Sequence, residues 1–206
     1  RNGPARQVVG GVRYRHWFDG DGMVHAWRLA GDAPSYRSRF VRTRKFVAES
    51  AAGRPLVPAF GALPPDGPPL VAVDAMNPAN IGVLPLAGSL LALWEVGSAY
   101  DLDPASLETR GERVWRDDLR GLPFSAHPKV EPDGTVWNFG VDYPDGRILV
   151  WCVGGDGVLK RFTLLDERHP GLLHDVAVTG RSLVFLLAPF TLDPDLWGRA
   201  SFLDAH

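Results

Sequence analysis

A spacing of 47 residues constrains the fold more than any other feature of this sequence. His127 and His174 are 47 residues apart, and Asn80 lies 47 residues before His127. Each of these positions opens a short strand-like segment that turns at a glycine and returns as an apolar run. Because repeats of roughly 40–50 residues are typical of propeller blades, the interval predicts one blade per repeat.

The stretch between the two histidines has the pattern of a single blade. After "HPKVE" come three β-branched and aromatic runs, "TVWNFGVDY", "RILVWCV" and "VLKRFTLL", separated by the turn signals "PDG" and "GGDG". This pattern predicts a four-stranded meander. Upstream, "HWFDGDGMVHAWRLAG" and "SYRSRFVRTRKF" are interpreted as strands of an earlier blade. We therefore predict an all-β fold, a β-propeller with about four blades, in one incomplete domain spanning residues 1–206.

Composition excludes several classes of protein. Lysine and arginine number 22 against 24 acidic residues, a net charge of −2 with both signs interspersed, so no surface for nucleic acid is indicated. The single cysteine, Cys152, excludes an internal disulfide and fits a reducing compartment, so we expect a cytoplasmic protein. No apolar stretch reaches the length of a membrane-spanning helix. The chain begins at Arg1, so it carries no evidence on a signal peptide.

The spacing of the histidines predicts where they lie. The first strand of each blade lines the central channel of a propeller, so His127 and His174 should face one point from neighbouring blades. Neutral imidazole suits iron, zinc and copper, and the pair is interpreted as the start of a metal site. The alternative is that each is a polar residue at a strand end, bonded to backbone or water. The remaining histidines are out of phase with the interval: His16, His25, His169 and His206.

Two carboxylates, Glu95 and Asp175, lie near these positions in the sequence or in the repeat. Glu95 ends the apolar run "SLLALWE" and could accept the second N–H of a metal-bound imidazole, which generally pairs with a carboxylate. Its alternative is a solvated carboxylate at the end of a strand. Asp175 alternates to the opposite face from His174, which disfavours a calcium-dependent propeller hydrolase.

Several stretches together resemble the carotenoid cleavage oxygenase family, which includes apocarotenoid and lignostilbene dioxygenases and the retinal pigment epithelium isomerohydrolase. They cover nearly the whole chain in the family's order and are similar to the N-terminal half of a member. The resemblance implies a seven-bladed propeller with one non-haem iron, Fe(2+), held on its axis by four histidines. The matching segments are "RNGP", "HWFDGDGMVHAWRL", "YRSRFVRT", "NPANIGVLPLAGSLLALWEVGSAYDLDPASLETRG", "FSAHPKVEPDGTVWNFG" and "HDVAVTGRSLVFLLAPF".

The resemblance also implies roles for individual residues. His127 matches the first iron ligand and His174 the second. Glu95 matches a glutamate that hydrogen-bonds the ligand at His174, and Ile81 looks like the residue that partly shields an open iron position. The motifs of the third and fourth ligands have no counterpart in these 206 residues.

The implied activity is cleavage of a conjugated C=C bond of a carotenoid or apocarotenoid with O2, giving aldehyde or ketone products. Trp94 stands where lignostilbene-cleaving relatives have a lysine, which favours an apolar substrate over a phenolic stilbene. A stilbene dioxygenase, an isomerohydrolase of the same family, and an inactive propeller fragment or binding module remain as alternatives. Peripheral contact of the full-length protein with a membrane also stays open.

Overall fold

Short antiparallel sheets are the main regular structure in the computed structural model, which describes residues 1–31, 33–68, 70, 72–167, 171–190, 193–196 and 199–205. The first sheet has the strand order β1-β4-β5. Along the chain, β1 is followed by β2 and β3, which form a separate two-stranded hairpin before β4. No helix in these ranges is long and apolar enough to cross a membrane. The strands of this sheet and of the hairpin are β1 (Asn2–Arg6), β2 (Val8–Val9), β3 (Val12–Arg13), β4 (Asp21–Arg28) and β5 (Ser35–Phe40).

Three further sheets follow in chain order. Two are four-stranded antiparallel meanders in which each strand pairs with the next, and the last is a two-stranded hairpin. We call these sheets the second, third and fourth blades, and the sheet β1-β4-β5 the first blade. The second blade holds β6 (Gly82–Leu86), β7 (Ser89–Leu93), β8 (Tyr100–Leu102) and β9 (Thr109–Glu112). The third holds β10 (Lys129–Val130), β11 (Val136–Asp142), β12 (Arg147–Val153) and β13 (Leu159–Asp166), and the fourth holds β14 (Val176–Val178) and β15 (Leu183–Phe185).

The 47-residue interval is reproduced in the strands. Asn80, His127 and His174 each lie two residues before the first strand of a blade, namely β6, β10 and β14. Gly88 and Gly134 make the turns into the second strands with φ angles of 77° and 83°, a conformation that glycine adopts without strain. The propeller predicted from the sequence is confirmed, and the interval marks the same structural position in three blades.

The apolar core lies between the blades. Leu91 and Leu93 of the second blade pack in one cluster with Leu149 and Trp151 of the third. A second cluster joins Phe139 and other residues of the third blade to the fourth, and another joins the first blade to the second. Each blade therefore buries its apolar faces against its neighbours, and this packing sets the angle at which neighbouring inner strands meet.

One helix was missed by the sequence analysis, which interpreted "RKF" as the end of a strand. Strand β5 ends at Phe40, and helix α1 spans Arg44–Ala52. The Thr43 side chain accepts a hydrogen bond from Phe46 N, and Gly53 ends the helix in the left-handed conformation. The buried residues of α1 are Lys45 and Glu49, so the helix lacks the apolar periodicity by which an amphipathic helix is recognised.

Candidate metal centre

His127 stands at the entry to the third blade. The next residue, Pro128, favours an extended backbone at His127, which holds its ring at the start of β10. A Cβ on Gly82 would lie only 2.6 Å from the carbonyl oxygen of Ala126. The absence of a side chain at Gly82 therefore lets the second blade pack directly against the segment that carries His127.

His174 occupies the equivalent place in the fourth blade. The next residue, Asp175, accepts a hydrogen bond from Val176 N at 2.7 Å, and its Oδ1 lies 2.7 Å from Lys129 Nζ. This ion pair joins the inner strands β10 and β14 just beyond the two histidines. Asp175 is thus engaged by a lysine and does not belong to the group of metal-binding side chains formed by its neighbour.

Glu95 and Ile81 approach the histidines from the second blade. Glu95 opens the turn after β7, and Ile81 precedes β6. Ile81 N donates to Leu93 O at 3.0 Å, which aligns the start of one strand with the end of the other. Both side chains line one cavity together with the two histidines. The structure therefore brings together the four residues that the sequence analysis singled out.

The distances within this group are short. The ring centroids of His127 and His174 are 4.4 Å apart, with the planes at 64°. Glu95 Oε1 lies 2.9 Å from His174 Nδ1, within hydrogen-bond distance. His127, His174 and Glu95 each offer one potential ligand atom within 4.8 Å of the other two. The side chain of His174 is 65% exposed, while that of Glu95 is 15% exposed.

Burial shapes the protonation of the group. It raises the pKa of the Glu95 carboxyl to about 7, and the partner His174 opposes that rise. Burial also lowers the pKa of the His127 imidazole, and the nearby His174 lowers it further. A metal binds the neutral imidazole, so the environment favours the form of His127 that can act as a ligand.

The residues present fit a metal ion. His127 Nε2 is buried and has no hydrogen-bond partner among the described residues, a costly arrangement for a polar atom. On the other ring, Nδ1 of His174 is engaged by Glu95, which leaves its Nε2 as the available ligand atom. A metal-bound imidazole commonly shows this pairing of its second nitrogen with a carboxylate. A cation between the two rings would satisfy the orphaned atom.

Of the out-of-phase histidines, His16 and His25 are described by the structure and are not part of this group. His16 Nδ1 accepts a hydrogen bond from Phe18 N at 3.1 Å. His25 Nδ1 lies 2.6 Å from the Tyr36 hydroxyl, on the first blade. His169 and His206 lie outside the residues that the structure describes.

A cavity of about 640 Å³ opens beside the histidine pair. Its walls carry a run of aromatic side chains that contact one another: Phe18 and Phe60 have ring centroids 5.0 Å apart, and Phe60 and Phe202 5.4 Å apart. Trp17 and Trp94 also line the cavity. No sequence pattern predicts these residues as a set, because Phe18, Phe60, Trp94 and Phe202 are distant along the chain and share a wall only through the fold.

Paired imidazoles beside an apolar cavity place this propeller in the class of β-propeller proteins with a candidate histidine metal centre. The family model described as retinal pigment epithelial membrane protein matches residues 1–205. The chain belongs to this family, that of the carotenoid cleavage oxygenases, as the sequence analysis predicted.

Curated relatives and solved structures agree with this assignment. The chain is 35% identical over 181 residues to resveratrol cleavage oxygenase 1 of Aspergillus fumigatus, covering 86% of this chain and 36% of that protein. It is 33% identical over 223 residues to the apocarotenoid-15,15'-oxygenase of Synechocystis, covering 96% and 44%. The solved structure of cobalt-substituted Synechocystis apocarotenoid oxygenase (ACO) superposes with a TM-score of 0.85 at 31% identity, covering 100% of this chain and 46% of that one. The chain thus spans less than half the length of these relatives.

Proposed function

We propose that the protein containing this chain is a non-haem iron(II) dioxygenase that cleaves a conjugated C=C bond of a carotenoid or apocarotenoid. Both atoms of O2 enter the products, one on each carbon of the broken bond, so an alkene and O2 give two carbonyl compounds and no further reductant is needed. The observation that carries the proposal is the orphaned Nε2 of His127 beside His174, at the end of an apolar cavity.

In this proposal the two histidines hold Fe(2+) through their Nε2 atoms. Bound iron(II) supplies coordination positions at which dioxygen can be activated. Glu95 fixes the orientation of the His174 ring and strengthens that ligand. Because three or four protein ligands are usual for such a metal, further histidines from the complete protein are part of the proposal. The exposure of His174 is consistent with a face that further residues cover in the complete protein.

The cavity supports an apolar substrate. Its aromatic walls offer dispersion contacts along a polyene and exclude water from the reacting bond. Trp94, beside Glu95, presents an indole where a lysine would engage a phenol. Ile81 lines the cavity next to the histidines, and we assign it the shielding of one side of the metal.

A phenolic stilbene is the second candidate substrate. The relative from Aspergillus fumigatus is a resveratrol cleavage oxygenase by name, and its identity to this chain is 35%. The same histidine pair would serve either substrate, since both carry a conjugated double bond. The two candidates differ in the polar group that the cavity must accept.

The test is turnover under isotopically labelled oxygen gas. The complete protein as its gene encodes it is loaded with iron(II) and supplied with an apocarotenoid or a stilbene. We expect aldehyde products that carry the label, and loss of more than about 100-fold in turnover for His127→Ala, since one imidazole then cannot hold the metal. An intact, rearranged substrate would instead indicate an isomerase, and no reaction with either substrate would contradict the proposal.

His25→Ala is the matched control. This variant removes a histidine of the first blade that pairs with Tyr36 and does not line the cavity. Its turnover should equal that of the unmodified protein. Equal losses in His25→Ala and His127→Ala would show that the effect comes from folding and not from the metal centre.

A further inference from the structure

A buried polar network joins the short 3-10 helix Val73–Met76, which precedes the second blade, to the turn that carries Glu95. Asp74 is 2% exposed, and its Oδ1 accepts hydrogen bonds from Ser98 N at 2.7 Å and from Asn77 Nδ2 at 3.1 Å. Its Oδ2 accepts from the Ser98 hydroxyl at 2.6 Å. A buried carboxylate with three donors is well satisfied and holds those donors in place.

Asn77 completes the network and extends it towards Ile81. It is fully buried, and its amide nitrogen also donates to Ser98 O at 2.9 Å. Its Oδ1 accepts from Ala79 N at 2.8 Å, at a residue with a φ angle of 46°. This contact fixes an unfavourable left-handed conformation two residues before Ile81.

The same turn reaches the segment before His127. Gly97 O accepts a hydrogen bond from Phe124 N at 2.9 Å. A Cβ on Gly97 would overlap the Asn77 amide and lie 2.8 Å from Asp74 Oδ1, so the turn is packed tightly against the network. Glu95, three residues before Ser98, is thus carried by a turn that is anchored on both sides.

We propose that Asp74 is a positioning residue that acts on the metal centre through Glu95. By holding the turn at Ser98, it sets the carboxylate of Glu95 against His174 Nδ1 and so fixes the orientation of that imidazole. The inference rests on the proposed metal site for its purpose, but the contact between Glu95 and His174 can be measured without any metal.

The first measurement uses the metal-free complete protein. Imidazole nitrogen NMR reports whether His174 Nδ1–H donates to a carboxylate. We expect Asp74→Ala to weaken or abolish this signal and Asp74→Asn to retain it, because an asparagine can still accept from Ser98 N and donate to the Ser98 hydroxyl. An unchanged His174 signal in a folded Asp74→Ala protein would overturn the inference.

The second measurement is cobalt(II) affinity by calorimetric titration. We expect Asp74→Ala to weaken binding about tenfold, the lower end of the range for groups that orient metal ligands. In a Glu95→Gln background the same change should not weaken cobalt binding further, because the carboxylate through which Asp74 acts on His174 is already absent. Equal losses in both backgrounds would show that Asp74 acts on stability alone.

Two further variants keep the test decisive if Asp74→Ala does not fold. Gly97→Ala places a methyl group of the same turn against Asn77 and Asp74 and should also disturb the His174 signal. Asp103→Ala is the matched control, since Asp103 is also a carboxylate with several donors, two backbone N–H groups and Arg110. It follows Leu102, which pairs with Leu90 at the opposite end of β7 from Glu95. The His174 signal and cobalt affinity of this variant should be unchanged. Failure of the unmodified protein to bind cobalt would contradict the proposed function but leave the NMR result to decide the role of Asp74.

Discussion

At the scale of single residues, Glu95 links two blades through one contact with His174. Replacing the carboxylate by an amide keeps its size but removes the charge that strengthens the ligand. We expect Glu95→Gln to weaken cobalt(II) or iron(II) binding by the complete protein about 10–100-fold, measured by anaerobic titration. Glu108→Gln, at an exposed pair with Arg39, should leave the affinity unchanged. Equal affinities in the two variants would show that Glu95 does not support the metal.

Trp94 carries the second prediction at this scale. In Trp94→Lys an ammonium enters the cavity, where it can donate to a phenolic oxygen. We expect the ratio of kcat/KM for a hydroxylated stilbene to that for an apocarotenoid to rise about tenfold, because a placed hydrogen-bond donor discriminates strongly. Trp27→Lys, at a side chain 66% exposed and outside the cavity, is the control. A ratio that moves equally in both variants contradicts a role for Trp94 in specificity.

How much of the site the sequence could predict differs from residue to residue. His127 and His174 could be predicted from their 47-residue spacing, because one repeat of the chain corresponds to one blade and equivalent positions in successive blades face the same centre. Glu95 had no such spacing: its place at the end of "SLLALWE" left a solvated carboxylate as an alternative, and the family resemblance matched it to a glutamate that bonds the ligand at His174. Asp74 was not predicted, because its partner Ser98 lies 24 residues away and only the folded chain brings the two together.

At the scale of secondary-structure elements, helix α1 is held by charges instead of apolar contacts. Lys45 Nζ, fully buried, donates to the Tyr14 hydroxyl at 2.7 Å and pairs with Asp21 at 3.1 Å and Glu49 at 2.9 Å. The burial of Tyr14 and its contact with Glu49 raise the pKa of its hydroxyl, which therefore stays a donor. A helix with this buried face cannot be found by hydrophobic periodicity.

The network predicts a large difference between two neighbouring positions of α1. Lys45→Ala leaves the buried Glu49 without its cation and leaves Asp21 paired with Arg6 alone, so it should lower the free energy of unfolding by about 3–5 kcal/mol. Arg44→Ala breaks an ion pair with Glu112 in which the arginine is 57% exposed, and should cost less than about 1 kcal/mol. Urea denaturation followed by tryptophan fluorescence distinguishes the two. Similar losses would mean that the buried network does not stabilise the helix.

At the scale of the whole molecule, the regular interval was sufficient to predict the fold class, because blade repeats are local in sequence. The number of blades in the whole ring could not be predicted from the interval. The second and third blades are complete four-stranded sheets, whereas the fourth has two described strands. A seven-bladed ring therefore remains an implication of the family resemblance, and a single incomplete domain over residues 1–206 stays a prediction.

The last prediction concerns the 206-residue chain on its own. Its fourth blade and the segment after it expose large apolar side chains, among them Leu186 at 85% and Phe190 at 56%. Such a face is a site for association, because neighbouring blades normally bury it. We expect the isolated chain to associate as its concentration rises, to bind iron(II) weakly and to show no dioxygenase turnover. Light scattering after size exclusion, together with metal analysis, checks this. A monomer with one tightly bound iron and turnover would mean that two imidazoles and Glu95 suffice, against the proposal that further histidines complete the centre.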